Sequence, residues 1–490
     1  MTVNVPILIT FVGYLALTML IGVIAYQATR SLSDYILGGR RLGPAVAALS
    51  VGASDMSGWL LLGLPGAVYL YGVSQAWIGI GLVIGAWLNW LFVARRLRVY
   101  TEQANDSLTI PDFLENRLAD HSGLLRVISA VTILVFFIFY TASGLVGSAI
   151  LFEQVFGLPY VSALLLGGGV IMAYTFMGGF LAVSWTDFFQ GILMLLALIV
   201  LPWAVMNELG GMQSTLNTLE GMDARKLDLF HDFTLISGLS LLAWGLGYFG
   251  QPHILARFMA IDSPHSVPLS RRIAMSWMVL SLIGSVGVGL AGAVYFADTP
   301  LDNAETVFLA LANAVFNPWV AGLLIAAIMS AIMSTIDSQL LVCSSAITED
   351  FYKRWFRPHA LDGELVWVGR FAVLAVAICS IVIALNPNSS VLDLVSYAWA
   401  GFGGAFGPVI ILSVYWARLT RNGALAGIVL GALTVIGWKQ LSGGPFGIFE
   451  LYEIVPGFVI CTLACIFVSR WDTPPSQAVV LGFRRMESDL

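Results

Sequence analysis

An all-α polytopic membrane fold is what this sequence predicts, and three observations predict it. Apolar runs of about 20 residues, long enough to cross a hydrocarbon layer of about 30 Å as helix, recur along the whole chain without the dyad alternation of an outer-membrane barrel. The composition, 58% hydrophobic and only 11% charged over 490 residues with a mean hydropathy of +0.88, is far too apolar for a soluble protein with one core. The basic residues, finally, fall almost entirely into alternate gaps between the runs.

Thirteen spans are expected. The first, α1 (6–26), follows Met-Thr-Val-Asn-Val-Pro, which has no basic n-region, and no small-residue cleavage site is evident after it, so it reads as an uncleaved helix. Next come α2 (44–69), interrupted by glycines, and α3 (75–94), which ends in an arginine-rich polar loop over 95–126. Then follow α4 (127–152), α5 (161–176) and α6 (183–206), closed by a polar segment over 207–232. The second half holds α7 (233–250), α8 (274–296), α9 (318–346), α10 (365–385), α11 (391–416), α12 (424–441) and α13 (454–468).

Basic residues favour cytoplasmic loops. With the N-terminus outside, Arg30, Arg40, Arg41, Arg95, Arg96, Arg98, Arg117, Arg126, Arg257, Arg271, Arg272 and the nine basic residues from Lys353 to Arg421 and from Arg470 to Arg485 fall inside; only Arg225, Lys226 and Lys439 of the 23 fall outside. The acidic, base-free loop over 298–317 agrees. Both α2 and α7 have glycine-interrupted centres and start five helices apart. Because five is odd, α2–α6 (44–206) and α7–α11 (233–416) would form an inverted repeat, a build common in secondary transporters. The whole chain 1–490 is then one integral membrane domain, with 1–43 and 417–490 peripheral.

Asp55 is the costliest residue in this plan. It lies in Leu49-Ser-Val-Gly-Ala-Ser-Asp-Met-Ser-Gly-Trp-Leu-Leu-Leu62, between Gly52 and Gly58. An ionisable side chain near the midplane costs at least about 2.5–3.5 kcal/mol and calls for a partner, a cavity or an ion. Glycine weakens a helix, and an unwound turn exposes carbonyls for a cation beside N–H groups for an anion. A broken helix that binds ion and solute is expected.

In α9, Ala331-Ile-Met-Ser-Thr-Ile-Asp-Ser-Gln339 is too polar to face lipid. The hydroxyls of Ser334 and Thr335 share a face with the Ala331 carbonyl, and the carbonyls of Ala53 and Met56, released where α2 unwinds, would complete a set of neutral oxygens suited to sodium. Interhelical hydrogen bonding is the alternative for such a stripe. Asp55 would attract the cation or shape the break, and Asp187, at the start of α6, would help pass it inward. For Asp187 and for Asp337 the alternative is a structural carboxylate.

Trp244 and Tyr248 lie one turn apart in α7, with Gly245 and Gly247 removing bulk beside them and Pro252 ending the regular helix. Tyr140 adds a hydroxyl to the stripe of Phe136, Phe137 and Phe139 in α4. A small apolar solute would suit this wall, its cationic nitrogen held by cation–π contact and its carboxylate by N–H groups near Ser57 and Gly58. Ordinary packing or an interfacial aromatic belt is the alternative.

Other classes are disfavoured. No Gly-x4-Gly-Lys-Ser/Thr loop marks an ATP motor, the five histidines show no metal spacing, and no nucleophile–base pair supports an enzyme. Cys343, Cys379, Cys461 and Cys465 sit in apolar runs and read as packing residues. A net charge of −6 with no basic tract argues against nucleic acid. No cofactor and no obligate protein partner are inferred; the expected partners are lipid, a cation and a solute.

Asp34-Tyr-Ile-Leu-Gly-Gly-Arg40, Ala53-Ser-Asp-Met-Ser-Gly-Trp59, Gly178-Gly-Phe-Leu-Ala-Val-Ser-Trp-Thr-Asp187, the run from Trp244 to Phe258, Met333-Ser-Thr335, Gln339 to Asp350 and Ser396-Tyr-Ala-Trp-Ala-Gly-Phe402 together resemble the sodium/solute symporter family, over about 6–468. The run from Trp244 to Phe258 resembles the members that carry proline. The resemblance implies thirteen helices in an inverted repeat with the N-terminus outside, and sodium-coupled uptake of L-proline across the bacterial inner membrane, sodium being a co-transported ligand. It implies sodium at Ala53, Met56, Ala331, Ser334 and Thr335, proline at Ser57, Tyr140, Trp244, Tyr248 and Pro252, and an ion-coupling or ion-route role for Asp55 and Asp187. Asp337 and Ser338 depart from the proline-carrying members, where this pair is less acidic. The alternative is a symporter for another small amino acid or carboxylate, or a sensor or channel on the same fold.

Overall fold

The computed structural model describes residues 4–26, 32–177 and 179–490. Arg30 and Gly178 lie outside the described residues. Among the described residues helix is the only continuous secondary structure, apart from one isolated parallel bridge between Leu42 and Ile261.

Among the described residues ten helices are long and apolar enough to cross a membrane: α1 (Val5–Tyr26), α3 (Val73–Gln103), α4 (Leu124–Phe156), α6 (Phe180–Glu208), α8 (Pro264–Tyr295), α9 (Pro318–Phe356), α10 (Asp362–Ala384), α11 (Val391–Tyr415), α12 (Arg421–Trp438) and α13 (Ile454–Trp471). The pair Pro44–Asp55 and Trp59–Tyr71, bent by 61°, makes an eleventh; these are α2a and α2b. The remaining two expected spans, α5 (Tyr160–Met177) and α7, are shorter apolar segments.

The hydropathy reading marked membrane-length runs rather than helix ends. Thus α3 continues nine residues past its apolar run, through Arg95–Gln103, because Leu97, Val99 and Tyr100 there still pack inside the protein. Similarly α9 runs on through a π-helical stretch, Ala346–Phe356. Short amphipathic helices fill segments expected to be loops: Ile110–Leu118, Met212–Asp223, Val307–Val315 and Gln477–Ser488. Thr109 caps the first of these by accepting from the Asp112 N–H at 3.1 Å.

The expectation that Pro252 ends α7 needs correcting. An α-turn segment Leu235–Leu242 (α7a) tightens into a 3-10 stretch Ala243–Gly250, the chain turns extended at Gln251, and Pro252 opens a new helix, Pro252–Ala260 (α7b). Proline is favoured in a first turn, where its missing N–H costs nothing. The 3-10 stretch is possible here because glycines let backbones touch: a Cβ on Gly85 of α3 would stand 2.1 Å from the Gly245 carbonyl oxygen, and one on Gly247 would stand 1.9 Å from the Trp399 indole nitrogen.

Burial ranks the spans. Inside the protein lies 83% of the apolar window of α9, against 22% of that of α1. The helix carrying Ser334 and Thr335 is therefore the buried centre of the bundle, packed on α1, α2a, α4, α6 and α10.

Candidate functional site

The site is built on the gap between α2a and α2b. After Asp55 the backbone leaves helical geometry at Met56 (φ −78°, ψ 71°), and Ser57 N–H turns back to the Asp55 carbonyl at 2.9 Å. The last carbonyls of α2a have no next helical turn to accept from, so side chains from elsewhere donate to them.

Ser334 Oγ of α9 donates to the Ala53 carbonyl at 2.7 Å and is 3.2 Å from the Ala331 carbonyl, while Thr335 Oγ1 reaches the same Ala53 oxygen at 3.4 Å. Four of the five expected ion ligands, Ala53, Ala331, Ser334 and Thr335, are thus linked in one chain of contacts through Ser334 Oγ and the Ala53 carbonyl. Met56 sits at the break, fully buried, but among the described residues no hydrogen bond ties its carbonyl to this group. These are neutral oxygens with lone pairs already converging, a donor set that suits a hard monovalent cation. No cluster of three or more His, Cys, Asp or Glu forms a metal site among the described residues.

Asp55 is held apart from that group. One carboxylate oxygen accepts from the Tyr248 hydroxyl and the other makes no hydrogen bond. Its backbone carbonyl accepts from Tyr140 Oη at 3.2 Å and from Trp59 Nε1 at 3.3 Å. Ser57 Oγ accepts from the Trp59 N–H at 3.4 Å. Ser57, Tyr140 and Tyr248 therefore converge on one residue of the break.

Trp244 belongs to an aromatic stack rather than to that knot, its ring 6.4 Å from Trp59 and 5.4 Å from Tyr452. Trp399 of α11, which the sequence reading did not single out, locks the 3-10 stretch by donating to the Trp244 carbonyl at 2.7 Å and setting its ring edge-on to Tyr248 at 5.1 Å. Pro252 faces a different space, a cavity of about 20 Å³ lined with Phe180, Ala256, Arg257, Ser338 and Asp350.

Asp187 and Arg257 make the deepest ion pair. Asp187 Oδ2 accepts from Ser50 Oγ at 2.6 Å and from Arg257 Nη2 at 3.0 Å, with both side chains at most 1% exposed. Arg257 was expected in a loop; it and His253 are on one helix. Both are buried on α7b, four residues apart on one face, His253 against the rings of Phe137 and Tyr140. Reading Pro252 as a first-turn residue would have found them. Asp337 accepts from Thr175 of α5, and its second oxygen makes no hydrogen bond.

Several of the expected loop arginines are likewise built in. Arg126 pairs with Asp350 at 2.6 Å, Glu115 at 2.9 Å, Asp112 at 3.2 Å and Glu349 at 3.5 Å, tying Ile110–Leu118 to α4 and to the π-helical end of α9. Burial pushes the Asp112 carboxyl above the usual carboxylate range, against the opposing pull of Arg126. At the other end, Glu305 accepts from the N–H groups of Val391 and Leu392, each at 3.2 Å, capping α11; burial also raises its carboxyl.

Comparison with known proteins adds the following. The family model for the sodium:solute symporter family matches residues 35–431. The sodium/proline symporter of Escherichia coli (strain K12) is 53% identical over 494 aligned residues, covering 100% of this chain and 97% of the relative. The high-affinity proline transporter PutP of Bacillus subtilis (strain 168) is 53% identical over 467, covering 95% and 98%. Among solved structures, a sodium-coupled sialic acid symporter in a substrate-bound outward-open state superposes with a TM-score of 0.82 at 20% identity, covering 96% of this chain and 99% of that one, a likeness of fold.

Proposed function

The chain belongs to the sodium:solute symporter family, and from that premise we propose that it takes up L-proline with sodium across the bacterial inner membrane by alternating access. The observation that carries this reading is the meeting of Ser334 and Thr335 with the Ala53 carbonyl at a break in α2. The substrate follows from the relatives named for proline transport over nearly the whole chain.

In this reading sodium takes the oxygens of Ala53, Met56, Ala331, Ser334 and Thr335, replacing the hydrogen bonds that now join α2a to α9. Proline takes Ser57, Tyr140, Trp244 and Tyr248, its carboxylate at the N–H groups opening α2b and its ring against the aromatic wall; Pro252, expected with them, faces the separate cavity and acts through the turn that joins the 3-10 stretch to α7b. Because the Tyr248 hydroxyl holds the Asp55 carboxylate, a solute that engages Tyr248 alters the break from the α7 side while sodium fixes it from the α9 side. That shared segment supports coupling. Asp55 sets its geometry, and Asp187 stands on the inward ion route. The breaks in α2 and α7, five helices apart, support the inverted repeat of 44–206 and 233–416 within one domain, with 1–43 and 417–490 peripheral and the N-terminus periplasmic.

The energetics suffice. One sodium moving inward gains about 2.3 kcal/mol per 100 mV, and a tenfold gradient adds about 1.4 kcal/mol, so one-for-one coupling sustains accumulation of roughly a few hundredfold. The test is uptake of labelled proline into proteoliposomes. An inward sodium gradient is expected to drive accumulation above equilibrium, and equal uptake without sodium would overturn the reading.

A further inference from the structure

Arg257 occupies the ground between the oxygen cluster and the basic end of the bundle. Its guanidinium donates to Ser50 Oγ at 2.7 Å, the His253 carbonyl at 2.8 Å, Asp187 Oδ2 at 3.0 Å and Ser338 Oγ at 2.5 Å. Ser338 is one helical turn from Ser334, and its hydroxyl donates to the Ser334 carbonyl at 2.7 Å. The charge therefore stands about one turn from the cluster, some 5–6 Å along α9.

Two further observations give that position a direction. Asp187 Oδ1 is buried and makes no hydrogen bond, so this oxygen keeps lone pairs that a second cation would satisfy. Beyond Arg257 lies the 20 Å³ cavity, whose wall includes Asp350, itself with one oxygen that makes no hydrogen bond. A cation leaving Ser334 for the basic end meets Asp187 first and Asp350 next. At Asp187 it meets Arg257 already in place, and one buried carboxylate does not hold two cations together without strong repulsion.

We infer that Arg257 is a tethered cation that occupies Asp187 when no sodium is on the inward route and gives way when sodium passes. Its retreat is furnished: the guanidinium carbon already lies 5.6 Å from the centroid of the Phe180 ring, which lines the same cavity. By returning to Asp187 it neutralises a carboxylate that hydrocarbon would otherwise penalise and closes the route behind the departing ion. Arg257 is a positioning residue in this account, and the inference rests on the reading that Asp187 lies on the ion route.

The experiment measures radioactive sodium flux into proteoliposomes without proline, and the sodium-to-proline ratio with it. Arg257→Gln is expected to raise the proline-free sodium flux at least tenfold and to push the ratio above that of the parent. Arg257→Lys, which keeps the charge, is expected to return the flux to within about threefold. A parental flux and ratio in Arg257→Gln would overturn the inference, and so would equal leak in both variants, since the shape of the side chain rather than its charge would then matter. Should Arg257→Gln not purify as a monodisperse protein, Arg257→His carries the test, with a leak above parent at pH 8 expected and a parental flux at both pH 6 and pH 8 overturning it. Asp187→Asn separates the two layers: unchanged sodium dependence there removes the ion route itself, whereas impaired sodium dependence beside a tight Arg257→Gln removes the inference alone.

Discussion

Removing the Ser334 hydroxyl is the sharpest test of the oxygen cluster. In Ser334→Ala the 2.7 Å donation to the Ala53 carbonyl disappears, along with the only side-chain oxygen within 3.2 Å of both the Ala53 and Ala331 carbonyls among the described residues. Without sodium the loss is one neutral hydrogen bond, about 1 kcal/mol of contact between α2a and α9. With sodium the loss is a ligand oxygen, roughly 1.5–3 kcal/mol for a contact to a charge; the difference between the two losses, about 0.5–2 kcal/mol, should raise half-saturation by sodium about 2- to 30-fold. Thr335→Ala should shift it in the same direction, although its hydroxyl is at 3.4 Å here and adds less to the sodium-free contact. The assay is proline binding titrated against sodium in purified protein, with saturating proline affinity as the internal control. Unchanged half-saturation in both variants would refute the assignment of sodium to this cluster.

Other expectations follow from the same geometry. Tyr248→Phe leaves the Asp55 carboxylate without its one protein donor among the described residues; proline affinity should fall about tenfold or more, measured by the same titration. Gly85→Ala forces a Cβ to within 2.1 Å of the Gly245 oxygen, so α3 must move off the 3-10 stretch, at a cost of about 1–3 kcal/mol or more, read as a fall in melting temperature and in proline binding together. Arg126→Gln removes the cation shared by four carboxylates. Glu115 keeps Arg354 and Glu349 keeps Lys353, each at 3.0 Å, but Asp112 and the buried Asp350 lose the pair, which should destabilise by about 3–5 kcal/mol, visible by thermal melting. Because burial raises the Glu305 carboxyl above its ordinary value of 4.5, the folded state binds that proton more tightly than the unfolded state; its contribution is complete below about pH 4.5 and is lost as pH rises through the raised value. Melting temperature should fall across that window in the parent, and Glu305→Gln should flatten the slope.

Most membrane spans were legible because a 20-residue apolar run is a local signal, as in α4, α10 and α11. The grouping of Ser334 and Thr335 with Ala53 was legible too, since helical spacing within α9 and glycines within α2 each announce themselves. What escaped was long-range or short. The Asp187–Arg257 pair joins residues 70 positions apart, with no periodicity to betray it. Taking Pro252 as a helix end, rather than a helix start, put Arg257 in a loop. The helices Ile110–Leu118 and Gln477–Ser488 carry too few apolar residues for a hydropathy window, and are held instead by contacts such as that of Arg117 with the rings of Tyr100 and Phe483. The resemblance to a family supplied residue roles that neither spacing nor composition could.

The five residues from Ala53 to Ser57 are contacted from four directions: α9 through Ser334 and Thr335, α4 through Tyr140, α7 through Tyr248, and α2b through Trp59. Substitutions among these partners share one segment of backbone and so should not add. Pairs such as Ser334→Ala with Tyr248→Phe, though on different helices, ought to show interaction energies of about 0.5–3 kcal/mol, whereas distant pairs add. Variation in this protein would then be constrained jointly at those positions: a change tolerated in one background would be lethal in another, and natural replacements would be expected to arrive in sets.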